Sequence, residues 1–225
     1  MSIMLALLVL SPSVLYDAAA DNSPQDAPWF WGLTGTGGTQ SPPNGSLKTT
    51  LDTTANIAFQ KGWINVVQSG LDPAKRPRLT FDLRVVSETH VSADRAGLSV
   101  IVLANDLKGV ELSFWEGQVW AQNDLPLFTH GESALCDTTS NGTGRGGLRR
   151  YGLMFDKNNY WLSVDGVALL HGPRRDYSAF TGNPNPYVIP NVLWVGDDTQ
   201  SASSKFEFSY FETGSPLPRA HAAGG

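Results

Sequence analysis

The chain is predicted to be all-β: an antiparallel β-sandwich in a single domain. Three observations carry this. Apolar and polar residues alternate at period two in several short runs, the clearest being Leu79, Phe81, Leu83 and Val85 set against Thr80, Asp82 and Arg84. Turn formers are frequent, with 23 Gly and 14 Pro in 225 residues, and they fall between those runs. Apolar stripes at helical spacing are almost absent. A chain of this length buries a sizeable core as one large sandwich.

The N-terminus divides into two parts. Residues 1–20 read as a signal peptide: Ile3 to Leu10 is an apolar run of h-region length, and Ala18-Ala19-Ala20 offers an A-x-A cleavage site before Asp21, although no Lys or Arg precedes the run. Export to the outside of the cell is the expectation that follows. Residues 21–54 read as a loosely structured segment rich in Gly, Pro, Ser and Thr, with Trp29, Phe30 and Trp31 docking it onto the domain. Asn44-Gly45-Ser46 and Asn141-Gly142-Thr143 have the form of N-glycosylation acceptors, so the protein is a glycoprotein if a eukaryotic host exports it.

The sandwich itself is expected over residues 55–212. Leu98 to Leu103 is apolar on both faces and should lie centrally in a covered sheet. Glu116-Gly117 closes a two-residue hairpin that sets Trp115 against Gln118, Phe114 against Val119, Ser113 against Trp120, Leu112 against Ala121 and Glu111 against Gln122. Val110, Leu112, Phe114, Val119 and Ala121 then face the core. Glu111, Ser113, Trp115, Gln118, Trp120 and Gln122 share the other face. Asp124 to Gly147 reads as a long irregular loop, a lid over that face, carrying His130. Tyr151 to Leu170 reads as a meander, and Gly172 to Pro190 as a second long loop with Arg174, Arg175 and Tyr177. Val192 to Val195 and Phe206 to Tyr210 supply the last strands, and residues 213–225 read as a disordered tail.

The run from Asp82 to Asp124, with RDYSAFTGNPNPY and LWVGDDTQSASSKFEFSYF further on, resembles the concanavalin A-like (laminin-G-like) jelly-roll superfamily. Within it the likeness is to exported, surface-anchored jelly-roll proteins of unknown role, and covers about Trp31 to Phe211. The resemblance implies a jelly-roll fold. It carries no catalytic motif with it.

Composition excludes several functions. A net charge of −5 and the lack of a dense Lys/Arg stripe exclude nucleic acid as a partner. The pairs Arg149-Arg150 and Arg174-Arg175 read as solvated loop ends. No run reaches the ~18 apolar residues that spanning a bilayer takes, so no transmembrane anchor is expected. The single cysteine, Cys136, leaves no intramolecular disulfide and no cysteine zinc site.

Two indoles among hydrogen-bonding groups on one sheet face form a surface that stacks on a flat ligand and orients it. The candidate ligand-binding set is Glu111, Trp115, Gln118, Trp120, Gln122, His130 and Tyr177, and the expected ligand is a glycan. The same face, covered by loops, is instead a second core layer. A paired-carboxylate glycosidase lacks its second acid, because Ser113 and Trp115 stand where one would follow Glu111. Should the chain be an enzyme, Glu111 is the acid it would use, in an aromatic pocket of the cyclase or isomerase kind acting on a small molecule. A structural or adhesive surface domain is the third reading. Calcium is the metal that Asp197 and Asp198, with Thr199, would hold.

Overall fold

The computed structural model describes residues 13–21, 23–27, 32–43, 45, 47–68 and 70–214. Within them the chain forms β1 (Ser13–Asp17), β2 (Gly32–Thr36), β3 (Thr39–Ser41), β4 (Thr49–Asp52), β5 (Gln60–Val66), β6 (Arg78–His90), β7 (Ser99–Leu103) and β8 (Gly109–Trp115). It continues through β9 (Gln118–Asp124), β10 (Leu127–Leu135), β11 (Arg149–Phe155), β12 (Asn159–Val164), β13 (Val167–Pro173), β14 (Val192–Asp197) and β15 (Ala202–Gly214). Five single-turn 3-10 segments are the only helical residues among those described. Two antiparallel sheets pack face to face. One runs β13-β12-β11-β6-β15-β4-β3, with β1 added on β15, and the other runs β10-β9-β8-β7-β14-β5-β2.

Period-two alternation builds the core. Leu79, Phe81, Leu83 and Val85 on β6 point inward to meet Val100, Val102, Val110, Leu112 and Phe114 of the second sheet. Aromatic rings tie the sheets together. Phe114 of β8 meets Tyr151 of β11 edge-on at 5.4 Å, and Trp63 of β5 lies 5.0 Å from Phe208 of β15. The strand over Leu98–Leu103 is central, as expected: β7 lies between β8 and β14 and is buried on both faces. The Glu116-Gly117 turn closes the hairpin in the expected register from Leu112–Ala121 to Trp115–Gln118.

The structure departs from the sequence reading in four places. Strands precede residue 55, because β1 to β4 belong to the two sheets; β1, inside the expected signal peptide, pairs with β15, and Tyr16 is fully buried with its hydroxyl 2.6 Å from Thr49 Oγ1. Leu127–Leu135 is a strand rather than part of a loop: register shifts at both ends of His130 leave β10 a broken pattern that alternation could not reveal. Arg174 and Arg175 are buried rather than solvated, Arg174 gripping Asp106 through both Nη atoms and Arg175 pairing with Glu132. Arg150 likewise takes both oxygens of the buried Asp82. Thr213 and Gly214, assigned to the tail, end β15; Trp29, Phe30, Trp31, Asn44 and residues 215–225 lie outside the described residues. Asn141 is exposed and its side-chain oxygen accepts from Arg84 Nη1 at 2.9 Å.

A chain that keeps β1 is cut upstream of Ser13 or not at all. Tyr16→Ala therefore lowers the urea unfolding free energy by about 3–5 kcal/mol, the cost of removing a buried aromatic. An unchanged midpoint would mean that β1 is absent from the folded protein.

Candidate functional site

The outward face of the second sheet can be read row by row from the register. Ile64 on β5, Trp194 on β14, Ile101 on β7 and Glu111 on β8 stand side by side. The next row holds Gly62, Gly196, Ser99, Ser113, Trp120 and Ser133. The two rows divide into a covered half and an open half.

The covered half is the one that sequence reasoning selected. His90 stacks on Trp115 at 3.9 Å with the rings 8° apart, and His130 stacks on Trp120 at 4.0 Å and 14°. Trp115 and Trp120 meet edge-on at 4.6 Å. Trp120 and Gln122 are fully buried, and Gln122 Nε2 donates to Ser113 Oγ and to the Asp94 carbonyl, both at 2.9 Å. Trp115 Nε1 donates to the Arg95 carbonyl at 3.1 Å. Burial holds the His130 imidazole below its usual pKa, against the pull of the nearby Asp94. Trp120 and Gln122 are thus packed in a second layer, while Trp115 and His130 stay half-buried and Trp115 lines a surface hollow with the exposed His90. Gln118, half-buried at the hairpin end opposite Leu135, lies beyond it.

Tyr177 replaces the expected Glu111–Gln122 ladder pair. Its hydroxyl accepts from the Glu111 backbone N–H at 3.0 Å and donates to the Gln122 carbonyl at 2.8 Å, so the phenol is a buried strut between β8 and β9. Glu111 is sealed beneath Tyr187, whose hydroxyl donates to its Oε2, and beside Arg95, whose Nη1 is 3.5 Å from its Oε1. Arg95 Nη2 reaches Asp198 Oδ1 at 3.1 Å, and the guanidinium lies over the Phe128 ring at 4.8 Å. Burial first, and then the Asp198 charge, push the Glu111 carboxyl well above the usual carboxylate range, with Arg95 and Tyr187 opposing. An acid so enclosed has no surface to present to a reacting group.

The open half centres on Trp194. A Cβ on Gly62 would sit 2.5 Å from Cζ2 of Trp194 and 2.8 Å from the Gly196 Cα, so this glycine pair on facing strands is what lets the indole lie down on bare sheet. Ile64 and Ile101 flank it, and Phe128, Phe180 and Tyr187 form the wall of a cleft of about 410 Å³. Arg95, Asp198, Gln60 and Gln200 line its polar side. Trp194 is 9% exposed, and its Nε1–H has no hydrogen-bond partner. Trp120 Nε1 shares this lack of a partner, and a buried donor left unmade is expensive in both places.

The wall comes from the second long loop. Arg175 exchanges both backbone hydrogen bonds with Gly109 of β8, Asp176 accepts from the Ser178 N–H, and Asn185 donates to the Phe180 carbonyl while accepting from the Tyr187 N–H. These Asx turns fix the positions of Phe180 and Tyr187. Over the Trp115–Trp120 face the expected Asp124–Gly147 stretch supplies His130, whereas the wall of the Trp194 cleft is supplied by Phe180 and Tyr187 together with Phe128. Trp194 was missed because LWVGDD reads as a core strand; the signal was the glycine next-but-one to the indole.

The expected calcium pair is engaged otherwise. Asp197 Oδ2 accepts from Thr53 Oγ1 at 2.6 Å and its Oδ1 from the Thr199 N–H at 3.2 Å, while Asp198 Oδ1 takes Arg95 and Ser99 Oγ. Among the described residues no three His, Cys, Asp or Glu side chains converge as a metal site. Nor is any helix long and apolar enough to cross a membrane.

Burial raises the Asp197 carboxyl from 3.8 to about 8, against the Thr53 and Thr199 hydrogen bonds, with the Asp198 charge adding to the rise. The folded state keeps this proton where the unfolded chain has released it, so the stability Asp197 contributes is full below its ordinary value and is lost as pH rises through about 8. Carboxyls held low by partners, such as Asp106 beside Arg174, act only below about pH 4. The urea midpoint should thus fall between about pH 5 and about pH 8.5, and Asp197→Asn should flatten that fall; a flat wild-type profile would contradict the assignment.

No family model matches the chain, and no curated protein sequence matches it. Solved structures do. A Bacillus subtilis protein of unknown function with a galectin-like fold superposes with a TM-score of 0.55 at 12% identity, over 92% of this chain and 98% of that one. The exoplasmic/lumenal domain of VIP36 in its Ca2+-bound form gives 0.53 at 8% identity, over 92% of each chain. The Crh5 transglycosylase in complex with NAG gives 0.55 at 10% identity, over 94% of this chain and 86% of that one. At such identities the likeness speaks for the fold alone: this chain shares the antiparallel β-sandwich of these structures, described for one of them as galectin-like.

Proposed function

We propose that the protein is an exported glycan-binding sandwich whose ligand lies in the cleft over Trp194. The cleft of about 410 Å³ beside the Trp194 ring is the observation that carries this reading: an aromatic surface for a sugar ring with polar side chains at its border. Phe180 and Tyr187 close one side, while Gln60 and Gln200 offer amides to hydroxyl groups. The fold supports it too, since VIP36 has been solved with Man2 bound and Crh5 with NAG. Export follows from the apolar N-terminal run. No step of this reading uses Glu111 as an acid or calcium as a cofactor.

A panel of oligosaccharides titrated against intrinsic Trp fluorescence tests the reading. Trp194→Ala weakens the binding of any sugar that responds by about tenfold or more, ~1.4 kcal/mol, and abolishes the fluorescence change. Trp120→Ala lowers the melting temperature instead and leaves the affinity of the folded protein unchanged. The reading fails if Trp120→Ala, and not Trp194→Ala, removes binding.

A further inference from the structure

We infer that the outward face of the first sheet, the one built on β6 and β15, carries a second ligand site, for an acidic saccharide bearing carboxylate or sulfate groups. It stands apart from the Trp194 cleft and does not rest on that reading. Every Lys and Arg among the described residues forms an ion pair except Lys61, Arg76, Arg78 and Lys157. Lys61 Nζ is taken by the Gly38 carbonyl at 3.2 Å. The other three fall at one end of the first sheet, Arg76 and Arg78 at the start of β6 and Lys157 in the β11–β12 turn. The nearby Asp156 carboxyl is occupied otherwise: the N–H groups of Asn159 and Asn158, and after them the Arg76 charge, hold it low. In a chain of net charge −5, this end keeps cations to spare.

The register sets a row beneath them. Arg78, Met154, Trp161 and His171 stand side by side on β6, β11, β12 and β13, pointing away from the core. With strands about 4.8 Å apart the row is about 14 Å long. Arg76 has a φ of 52°, a left-handed conformation that few side chains adopt. Its Cζ lies 5.8 Å from the Trp161 ring, its Nη2 is 4.0 Å from Met154 Sδ, and its buried Nε has no hydrogen-bond partner. Arg78 is exposed and lies over bare backbone: a Cβ on Gly152 would come 3.2 Å from its Nη2 and 2.9 Å from Ser163 Oγ. Guanidinium forks without carboxylates of their own match a carboxylate or a sulfate. Trp161, half-buried and stacked with the exposed His171 at 5.1 Å, offers the aromatic edge that a sugar ring packs on. Three cations suit a short saccharide with one charge per ring. A duplex nucleic acid, with one charge per ~1.7 Å of axis, asks for far more. None of the large exposed apolar side chains falls in the row, as contact with a lipid surface would need.

Isothermal titration of the full chain at low salt with a heparin tetrasaccharide, tetragalacturonate and neutral cellotetraose tests the site. An acidic tetramer is expected to bind, more weakly as salt is raised, and cellotetraose is not expected to compete with it. Arg78→Gln, at an exposed side chain with no ion pair to lose, should weaken that binding about tenfold, and Arg76→Gln added to it should weaken it further. Trp194→Ala should leave it unchanged. If the double variant does not fold, Arg78→Gln alone decides. Failure of both acidic tetramers to bind overturns the site. So does acidic binding that Trp194→Ala removes and Arg78→Gln spares, which leaves the cleft reading standing. Tighter Arg78-dependent binding of a single-stranded oligonucleotide or of phosphatidylserine vesicles overturns the saccharide assignment.

Discussion

A half-buried guanidinium ties together the strands and loops at the outward face of the second sheet. Arg95 comes from the connection between β6 and β7, and it meets Asp198 after β14, Glu111 on β8 and the Phe128 ring at the start of β10. Four separate stretches of chain thus converge on one side chain. Removing it would leave two carboxylates facing each other in a low dielectric, a change that commonly costs about 3–5 kcal/mol. The Tyr187 hydroxyl on Glu111 then brings the 180s loop into the same network. The position of the cleft wall is in this sense a consequence of charge balance under the loop.

The same convergence divides the sheet face. On the β8–β9 side, His90 and His130 stack on the two indoles and close the surface. On the β14–β5 side Phe128, Phe180 and Tyr187 pack on one another at 5.4–5.6 Å, in one apolar cluster with Trp194, and leave a cleft beside the indole. The glycines at 62 and 196 then decide how that indole lies: a Cβ on Gly62 would come within 2.5 Å of its Cζ2 and displace the ring.

Much of the fold was legible before any coordinates. The β6 alternation, the apolar β7, the Glu116-Gly117 hairpin and the meander over β11 to β13 all carry local patterns, and each forms where the pattern lies. What failed to read did so for identifiable reasons. β10 has register shifts that break period two, β1 sits in a run whose apolarity serves export signals and strands alike, and the paired arginines look solvated until Asp106 and Glu132 are found beside them. Of the candidate site residues, Glu111, Trp120, Gln122 and Tyr177 come together as a buried layer and its strut, with Trp115 and His130 half-buried at its border.

By itself the sequence determined the all-β class, the hairpin register and which side chains share a sheet face, because strand alternation is a property of neighbouring residues along one chain. Which half of that face is closed and which is open was decided only by the tertiary structure. His90, His130 and Phe128 come from segments remote from Trp194 in the chain, while Tyr187 lies just before β14 and is placed by its hydroxyl on Glu111 of β8, and these contacts form only once the strands are assembled.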